Sequence, residues 1–357
     1  MNRTRVAVVG CGHLGSIHAR LLAARADAEL VAVVDPSPEA RERVAAAHGC
    51  RPLAAPGDLV GLADAVVVAA PTFLHADVSL PLLEAGVDLL VEKPIALDVA
   101  SGRRIVETAR RRGRIVAVGH VERFNPAWDA AVDRCGRVVA VEACRLAPFT
   151  FRSLDVGAVL DIMIHDIDLV LSLEPGGLER VESHGLVATG DHEDAARARL
   201  TFSSGLVADL TASRIHPSLI RRTSLWGTRG TVSVDFNAKT VDVVSASPDV
   251  LGGRFDANRT APADRAGLKE RFFTDTMPRE TVVVPEANAI ACEHDDFLAA
   301  LRSRGAVRVP ASAGLAAVEV AARILEAMVR TRLGDESPAG VAPTSSAAAS
   351  ASRRKVA

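Results

Sequence analysis

The stretch Arg5-Val6-Ala7-Val8-Val9-Gly10-Cys11-Gly12-His13-Leu14-Gly15 decides the reading of this chain. A short valine-rich run is a buried strand, and each glycine after it has its own job. Gly10 permits a tight turn, Gly12 lets backbone approach a pyrophosphate, and Gly15 allows a helix to pack closely on the strand. The helix that opens there, over 14–24, offers free N–H donors and a partial positive charge to phosphate. Asp35 ends the next apolar run, twenty positions after Gly15. A carboxylate there accepts hydrogen bonds from adenosine ribose hydroxyls and repels a 2′-phosphate. No arginine directly follows Asp35, since the next residues are Pro36-Ser37-Pro38. NAD is therefore favoured over NADP.

Outward from this motif, apolar runs recur at 30–34, 65–70, 88–91 and 114–118, with helix-period segments at 38–48, 74–86 and 98–112. Buried runs separated by helices indicate parallel strands in βαβ units, so residues 1–120 read as a doubly wound Rossmann domain. From 121 the pattern changes. A helix at 126–135, a strand at 137–146 and a helix at 156–173 precede strands at 178–188, 195–202, 206–214, 223–226 and 231–236. Ser203-Ser204-Gly205 and Gly227-Thr228-Arg229-Gly230 are hairpin turns. Strands in succession predict a mainly antiparallel sheet, so residues 121–333 read as a second, C-terminal α/β domain. Residues 247–280 read as a long loop, 288–304 and 311–332 as closing helices, and 334–357 as a disordered tail.

Composition narrows the chemistry. The 357 residues carry a formal charge of −2, and 48% are apolar. No run approaches the ~20 apolar residues a bilayer requires, and near-neutral charge gives no reason to expect nucleic acid. The N-terminal apolar run is too short for a signal peptide. Five scattered cysteines without a Cys-x-x-Cys suit a reducing cytoplasm, not a disulfide or zinc framework. There is no tyrosine, which excludes every tyrosine-based mechanism. Among 42 basic residues the lysines are Lys93, Lys239, Lys269 and Lys355. Where arginine is favoured almost everywhere, a retained lysine suggests a proton that can be given up.

Lys93 stands in Glu92-Lys93-Pro94, at the carboxyl end of the fourth apolar run, where open α/β sheets bind ligands. Pro94 invites a cis peptide; a plain strand-end lysine is the alternative. Asp161, His165 and Asp168 fall at i, i+4 and i+7 on one helix face. Asp161 there can orient His165 and raise its basicity, or the face can simply be solvated. No His or Cys cluster accompanies it, so no metal is expected. His13 and His18 flank the glycine loop, near the cofactor or packed. His184, His192, His216 and His294 receive no role. The cluster from Arg110 to Arg114 closes a helix, and Trp128 and Trp226 are assigned to cores.

These motifs, in this order, resemble the glucose–fructose oxidoreductase / inositol dehydrogenase / MocA-like oxidoreductases. The resemblance spans about 5–333 and rests on the Gly10–Gly15 loop, Asp35, Pro71-Thr72-x-x-His75, Glu92-Lys93-Pro94, Gly119-His120 and Asp161-x-x-x-His165. It implies that Lys93, Asp161 and His165 form a catalytic trio. It also implies that Gly10, Gly12, His13, Leu14, Gly15, Asp35, Glu92 and Lys93 hold NAD, with Pro71, Thr72 and His75 on the nicotinamide side. Within the family, Gly119-His120-Val121-Glu122-Arg123-Phe124-Asn125-Pro126 and Pro148-Phe149-Thr150-Phe151-Arg152-Ser153 are similar to the UDP-N-acetylglucosamine 3-dehydrogenase branch. That branch oxidises the sugar at C3 ahead of an aminotransferase in amino-sugar lipid A synthesis. Arg123, Asn125, Arg152 and Asp168 would then contact a UDP-sugar, although either arginine can equally be a structural ion-pair partner. The expected assembly is a homo-oligomer joined through the open sheet. A free-sugar or polyol dehydrogenase and an NAD-sensing regulator are the rival readings.

Overall fold

The computed structural model describes residues 3–335. Its first sheet is wholly parallel. The strands are β1 Thr4–Val9, β2 Ala28–Val34, β3 Arg51–Leu53, β4 Ala65–Val68, β5 Asp88–Glu92 and β6 Val116–Gly119. They lie in the order β3-β2-β1-β4-β5-β6. Helices α1 His13–Ala23, α2 Pro38–His48, α3 His75–Glu84 and α4 Val99–Arg112 make the crossovers. Strands β4, β5 and β6 are buried along their whole length, as sheets covered on both faces must be. The strand order reverses between β1 and β4, which opens a crevice at the carboxyl ends where Gly10 and Lys93 lie. The short edge strand β3 carries Pro52, which an edge tolerates and apolar periodicity does not reveal.

The second part contains α5 Pro126–Ala131, β7 Val138–Leu146, α6 Ile164–Leu171, β8 Leu178–Val187, β9 Ala195–Phe202, β10 Val207–Ser213, β11 Ile220–Gly227, β12 Gly230–Asp235 and β13 Thr240–Ser245. Helices α7 Pro248–Leu251 and α8 Arg265–Arg271 interrupt the expected loop. Strand β14 Arg279–Val282, helices α9 Ala289–Ser303 and α10 Ala311–Glu326, and strand β15 Met328–Arg332 follow. Nine strands pair in the order β14-β13-β12-β11-β7-β10-β9-β8-β15. The pairs β7–β10 and β8–β15 are parallel, and the others antiparallel. Residues alternate between buried and open along β9 and β10, so one face packs under α6 and α10 while the other is uncovered. Among the described residues, no helix is long and apolar enough to cross a membrane.

Three expectations are corrected here. The helix expected to 332 stops at Glu326. The β-branched and long side chains of Met328–Arg332 instead pair with β8, and Met328 fills the room left by Gly185. Beyond the second sheet the chain returns to pack on the first domain. Phe297 and Leu298 of α9 share a core with Val6, Val8 and Leu90, and the Val118 N–H donates to the Val309 carbonyl at 3.0 Å. Trp128 is buried, but Trp226 is 55% exposed on the uncovered face of the sheet. The helix expected from 156 opens as a single π turn, Val159–Met163, and runs regularly only from Ile164. The tail assigned to 334–357 lies, from residue 336 on, outside the described residues.

Candidate active site

The glycine loop has the stereochemistry its sequence demands. Gly10 sits at φ +99°, and a Cβ there would strike the backbone of Ala69. A Cβ on Gly15 would run into the Gly10 carbonyl, so α1 lies directly against the turn. Gly12 faces open space, where a Cβ would meet nothing within 4 Å, and no side chain caps the helix it opens. The first N–H groups of α1 therefore point outward unpaired, the arrangement that suits a pyrophosphate. Asp35 accepts from the Cys11 N–H and the Ser37 N–H, each at 2.8 Å, which fixes its carboxylate beside the loop. These residues fit NAD.

Three chain segments converge beside that loop. Strand β5 delivers Glu92 and Lys93, with a cis peptide between Lys93 and Pro94. The π turn and α6 deliver Asp161 and His165, and the loop after β7 delivers Arg152. They line one cleft of about 610 Å³, together with His13 and Leu14 of the cofactor loop. Lys93 Nζ donates to the Asp161 carbonyl oxygen at 2.6 Å and to Asp161 Oδ1 at 3.1 Å. Asp161 thus positions the lysine, whereas the expected carboxylate–imidazole pair is not formed. Asp161 lies within the π turn and His165 on the regular helix that follows it.

His165 is half-buried, and its Nδ1 is enclosed without a hydrogen-bond partner, which leaves Nε2 for the cleft. Burial, then the positive charges of Lys93 and Arg145, push its pKa far below the usual histidine value of 6.5. The ring is therefore neutral at physiological pH and able to take a proton.

The remaining expected site residues separate into two groups. Pro71 and Thr72 follow the carboxyl end of β4 and open a short helical turn. His75, by contrast, is buried, with Nδ1 at 2.8 Å from the Pro94 carbonyl and Nε2 at 2.9 Å from that of Ala70. It ties the lysine turn to the β4 loop and does not line the cleft. Asn125 caps α5 by accepting from the Ala127 N–H, and donates to Glu122. Arg123 lies 3.6 Å from Asp168, at a separate depression shared with Leu171 and Ala313. Arg123, Asn125 and Asp168 thus do not line this cleft. They follow the right motifs, but their side chains are taken by ion-pair and capping duties.

Sequence reasoning missed the arginines that do reach the cleft. Arg145 is buried, bonded to Glu122 Oε1 at 2.6 Å and to Asp166 Oδ1 at 2.8 Å. Arg214 is buried with Asp194 at 2.8 Å and lies over the Phe149 ring. Arg221, from β11, is exposed, and like Arg152 its side chain has no ion-pair or hydrogen-bond partner among the described residues. The only linear signal for these residues is strand alternation, which does not indicate which end meets a cleft.

A buried polar chain runs behind the lysine. His294 Nε2 lies 2.8 Å from His18 Nδ1, and His18 Nε2 donates to Glu92 Oε1 at 2.7 Å. Gly119 leaves the room that Glu92 occupies. Glu293 is also buried here, with neither carboxyl oxygen bonded. Burial and the neighbouring Glu92 hold its pKa well above the ordinary 4.5. A carboxyl whose folded value is raised contributes stability that is present below pH 4.5 and lost as pH rises toward the folded value. Glu293→Gln should therefore gain thermal stability over the parent as pH rises from 5 to 8. Melting curves across that range check this, and a parent that gains on the variant would contradict it.

Comparison with known proteins agrees with this geometry. Residues 4–120 match the family described as oxidoreductases with an NAD-binding Rossmann fold, and residues 132–233 match the GFO/IDH/MocA C-terminal domain. A UDP-N-acetylglucosamine 3-dehydrogenase of Acidithiobacillus ferrooxidans is 32% identical, over 94% of this chain and 98% of that protein. This chain belongs to the GFO/IDH/MocA oxidoreductase family. The inositol 2-dehydrogenase of Rhizobium meliloti is also similar, at 28% identity over 92% of this chain and 98% of its own. The solved structure of the Acidithiobacillus protein superposes with a TM-score of 0.78, covering 92% of this chain and 98% of that one. The WlbA dehydrogenase of Bordetella pertussis, at 21% identity and TM-score 0.75 over 91% and 95% of the two chains, shares the fold. In this GFO/IDH/MocA oxidoreductase, the NAD-binding domain and the mainly antiparallel C-terminal sheet meet where Lys93 and His165 face one cleft.

Proposed function

We propose that the protein oxidises a ring hydroxyl of a nucleotide sugar to a ketone, with C3 of UDP-N-acetylglucosamine as the preferred site. The supporting observation is one cleft that joins the cofactor loop to Lys93 and His165 and carries on its wall Arg152 and Arg221, neither of which makes an ion pair or side-chain hydrogen bond among the described residues, Arg221 lying in the field of Glu122 and Asp166. NAD, when bound, supplies the hydride acceptor. His165 Nε2 removes the hydroxyl proton as the carbon gives up hydride, and Lys93 donates a hydrogen bond to the oxygen on which negative charge develops. Asp161 holds the ammonium in place through two contacts. Arg152 and Arg221 match a diphosphate, whose oxygens guanidinium groups grip in bidentate fashion.

A free polyol needs no such cations, which is why the nucleotide sugar is favoured over inositol. A 3-keto sugar is a substrate for transamination, so an aminotransferase of amino-sugar lipid A synthesis is the natural successor. The uncovered face of the nine-stranded sheet, with Trp226 exposed on it, is the surface through which a homo-oligomer would form.

The test measures NADH formation with UDP-N-acetylglucosamine, myo-inositol and glucose, with an aminotransferase and amino donor present to draw off the ketone. Turnover with the nucleotide sugar alone is expected; turnover with inositol or glucose alone would replace this reading by the polyol one. Arg221→Met should raise KM for the nucleotide sugar by about 10- to 100-fold, the loss of one charge-assisted contact, with KM for NAD unchanged. An unaltered sugar KM would remove Arg221 from the site.

A further inference from the structure

We propose that His120 and Asp168 form an orienting chain behind His165, which holds the base in its Nδ1–H tautomer and supports its imidazolium. The inference rests on the reading of His165 as the base. If Nε2 takes the substrate proton, Nδ1 must already carry one, and a buried N–H without an acceptor is costly. The expected acceptor, Asp161, is occupied by Lys93. Behind His165, four enclosed polar atoms have no partner: His165 Nδ1, His120 Nδ1, His120 Nε2 and Asp168 Oδ2. Buried polar atoms are normally paired, and these four lie on three residues that act on one another in sequence, His120 on His165 and Asp168 on His120.

The chain closes in chemically consistent order. His165 Nδ1–H donates to one nitrogen of His120, and the other nitrogen of His120, carrying its hydrogen, donates to Asp168 Oδ2. No proton is created or lost, and every orphaned atom gains a partner, directly or through a bridging water. His120, only 1% exposed, is placed by the end of β6, while Asp168, equally buried, lies one helical turn beyond His165 on α6. His120 is within electrostatic reach of His165, and Asp168 within reach of His120. Burial raises the Asp168 pKa, and His120 and Arg123, the latter 3.6 Å from Oδ1, offset part of that rise at the far end of the chain. This also gives a purpose to the Arg123–Asp168 pair, which is absent from the cleft.

Other charges bear on the same groups. Lys93, Arg145 and Arg221 face His165; Lys93, Glu92 and Arg123 face His120; Arg123 faces Asp168. Most of these are cations that oppose an imidazolium at 165. A carboxylate acting through His120 offsets them. His120 and Asp168 are accordingly positioning residues, since neither reaches the cleft.

The deciding experiment reads imidazole nitrogen shifts by NMR on the full chain, with His165 assigned by its loss in His165→Ala. The parent is expected to show His165 in the Nδ1–H form. Asp168→Asn and His120→Phe should shift the population toward Nε2–H and lower kcat by about 10²- to 10⁴-fold, the upper end being the cost of a wrong tautomer. KM should be nearly unchanged, the acid limb of kcat should move to lower pH, and Asp168→Glu should restore part of the rate. An Nε2–H His165 in the parent overturns the proposal even if the variants fail to fold, and so does an unchanged tautomer with unchanged kcat in both variants. Normal turnover by His165→Ala would instead overturn the base assignment itself.

Discussion

Lys93→Met is expected to lower kcat for oxidation by about 10²–10³-fold, the loss seen when one donor to a developing oxyanion is removed. The effect falls on kcat because the ammonium has most to do when the hydroxyl oxygen becomes negative. In the resting protein it is held by the Asp161 carbonyl and carboxylate. Methionine keeps the length and apolar stem of lysine, so NAD binding and melting temperature should stay near those of the parent. His165→Ala should cost about 10²–10⁴-fold, the range for a lost general base. Because the pKa of His165 is depressed by burial and by Lys93, the parent's acid limb should lie below pH 6.5. The sign is definite: protonating the base stops oxidation, so activity falls only as pH drops through that lowered value. In Lys93→Met one opposing cation is gone, and the limb should move upward. A limb that moves downward would contradict the electrostatic arrangement.

The second large effect concerns the glycine loop, where two similar substitutions should give opposite signatures. Gly15→Ala places a methyl group against the Gly10 carbonyl, and Gly10 cannot retreat because Ala69 backs it. The cost should be about 3 kcal/mol, near the upper end for overpacking of a tight contact, visible as a lower melting temperature together with lost NAD affinity. Gly12→Ala meets nothing within 4 Å. Its melting temperature should be unchanged, while NAD affinity falls by at least about tenfold as the methyl group enters the approach of the pyrophosphate. Equal destabilisation by both variants would mean that the loop is a packing device and not a phosphate cradle.

The difference between these glycines is legible in the sequence alone, because turn, approach and packing each require glycine for a local reason. The same holds for the parallel strands, whose apolar runs can be read one at a time. What escapes such a reading depends on contacts between distant segments. The i, i+4 spacing puts Asp161 and His165 on one helix face but does not tell which partner Asp161 takes, and Lys93, 68 positions away, takes it. Motif position likewise does not separate Arg123, tied to Asp168, from Arg152, which faces the cleft. Arg221 belongs to no motif, and its place follows from β11 lying beside β7 in the second sheet. His18 and His294 are 276 positions apart, yet form one hydrogen-bonded chain with Glu92, a pairing no linear pattern contains.

Strand β15 shows a different failure. Periodicity carries α10 smoothly into Met328–Arg332, and only the vacant edge of β8, with Gly185 making room for Met328, turns that segment into a strand. Trp226 is exposed for a related reason. Its neighbour Leu225 points into the core, and strand alternation sends the tryptophan to the other face.

The most direct measurement is isotopic. UDP-N-acetylglucosamine carrying deuterium at C3 is turned over with NAD, and the NADH formed is examined by mass spectrometry alongside the rate. Hydride transfer from that carbon should place the deuterium in NADH and slow the chemical step relative to unlabelled sugar. NADH formed without the label, or no NADH from this sugar while another alcohol is oxidised, would contradict the assignment of C3 as the reacting carbon.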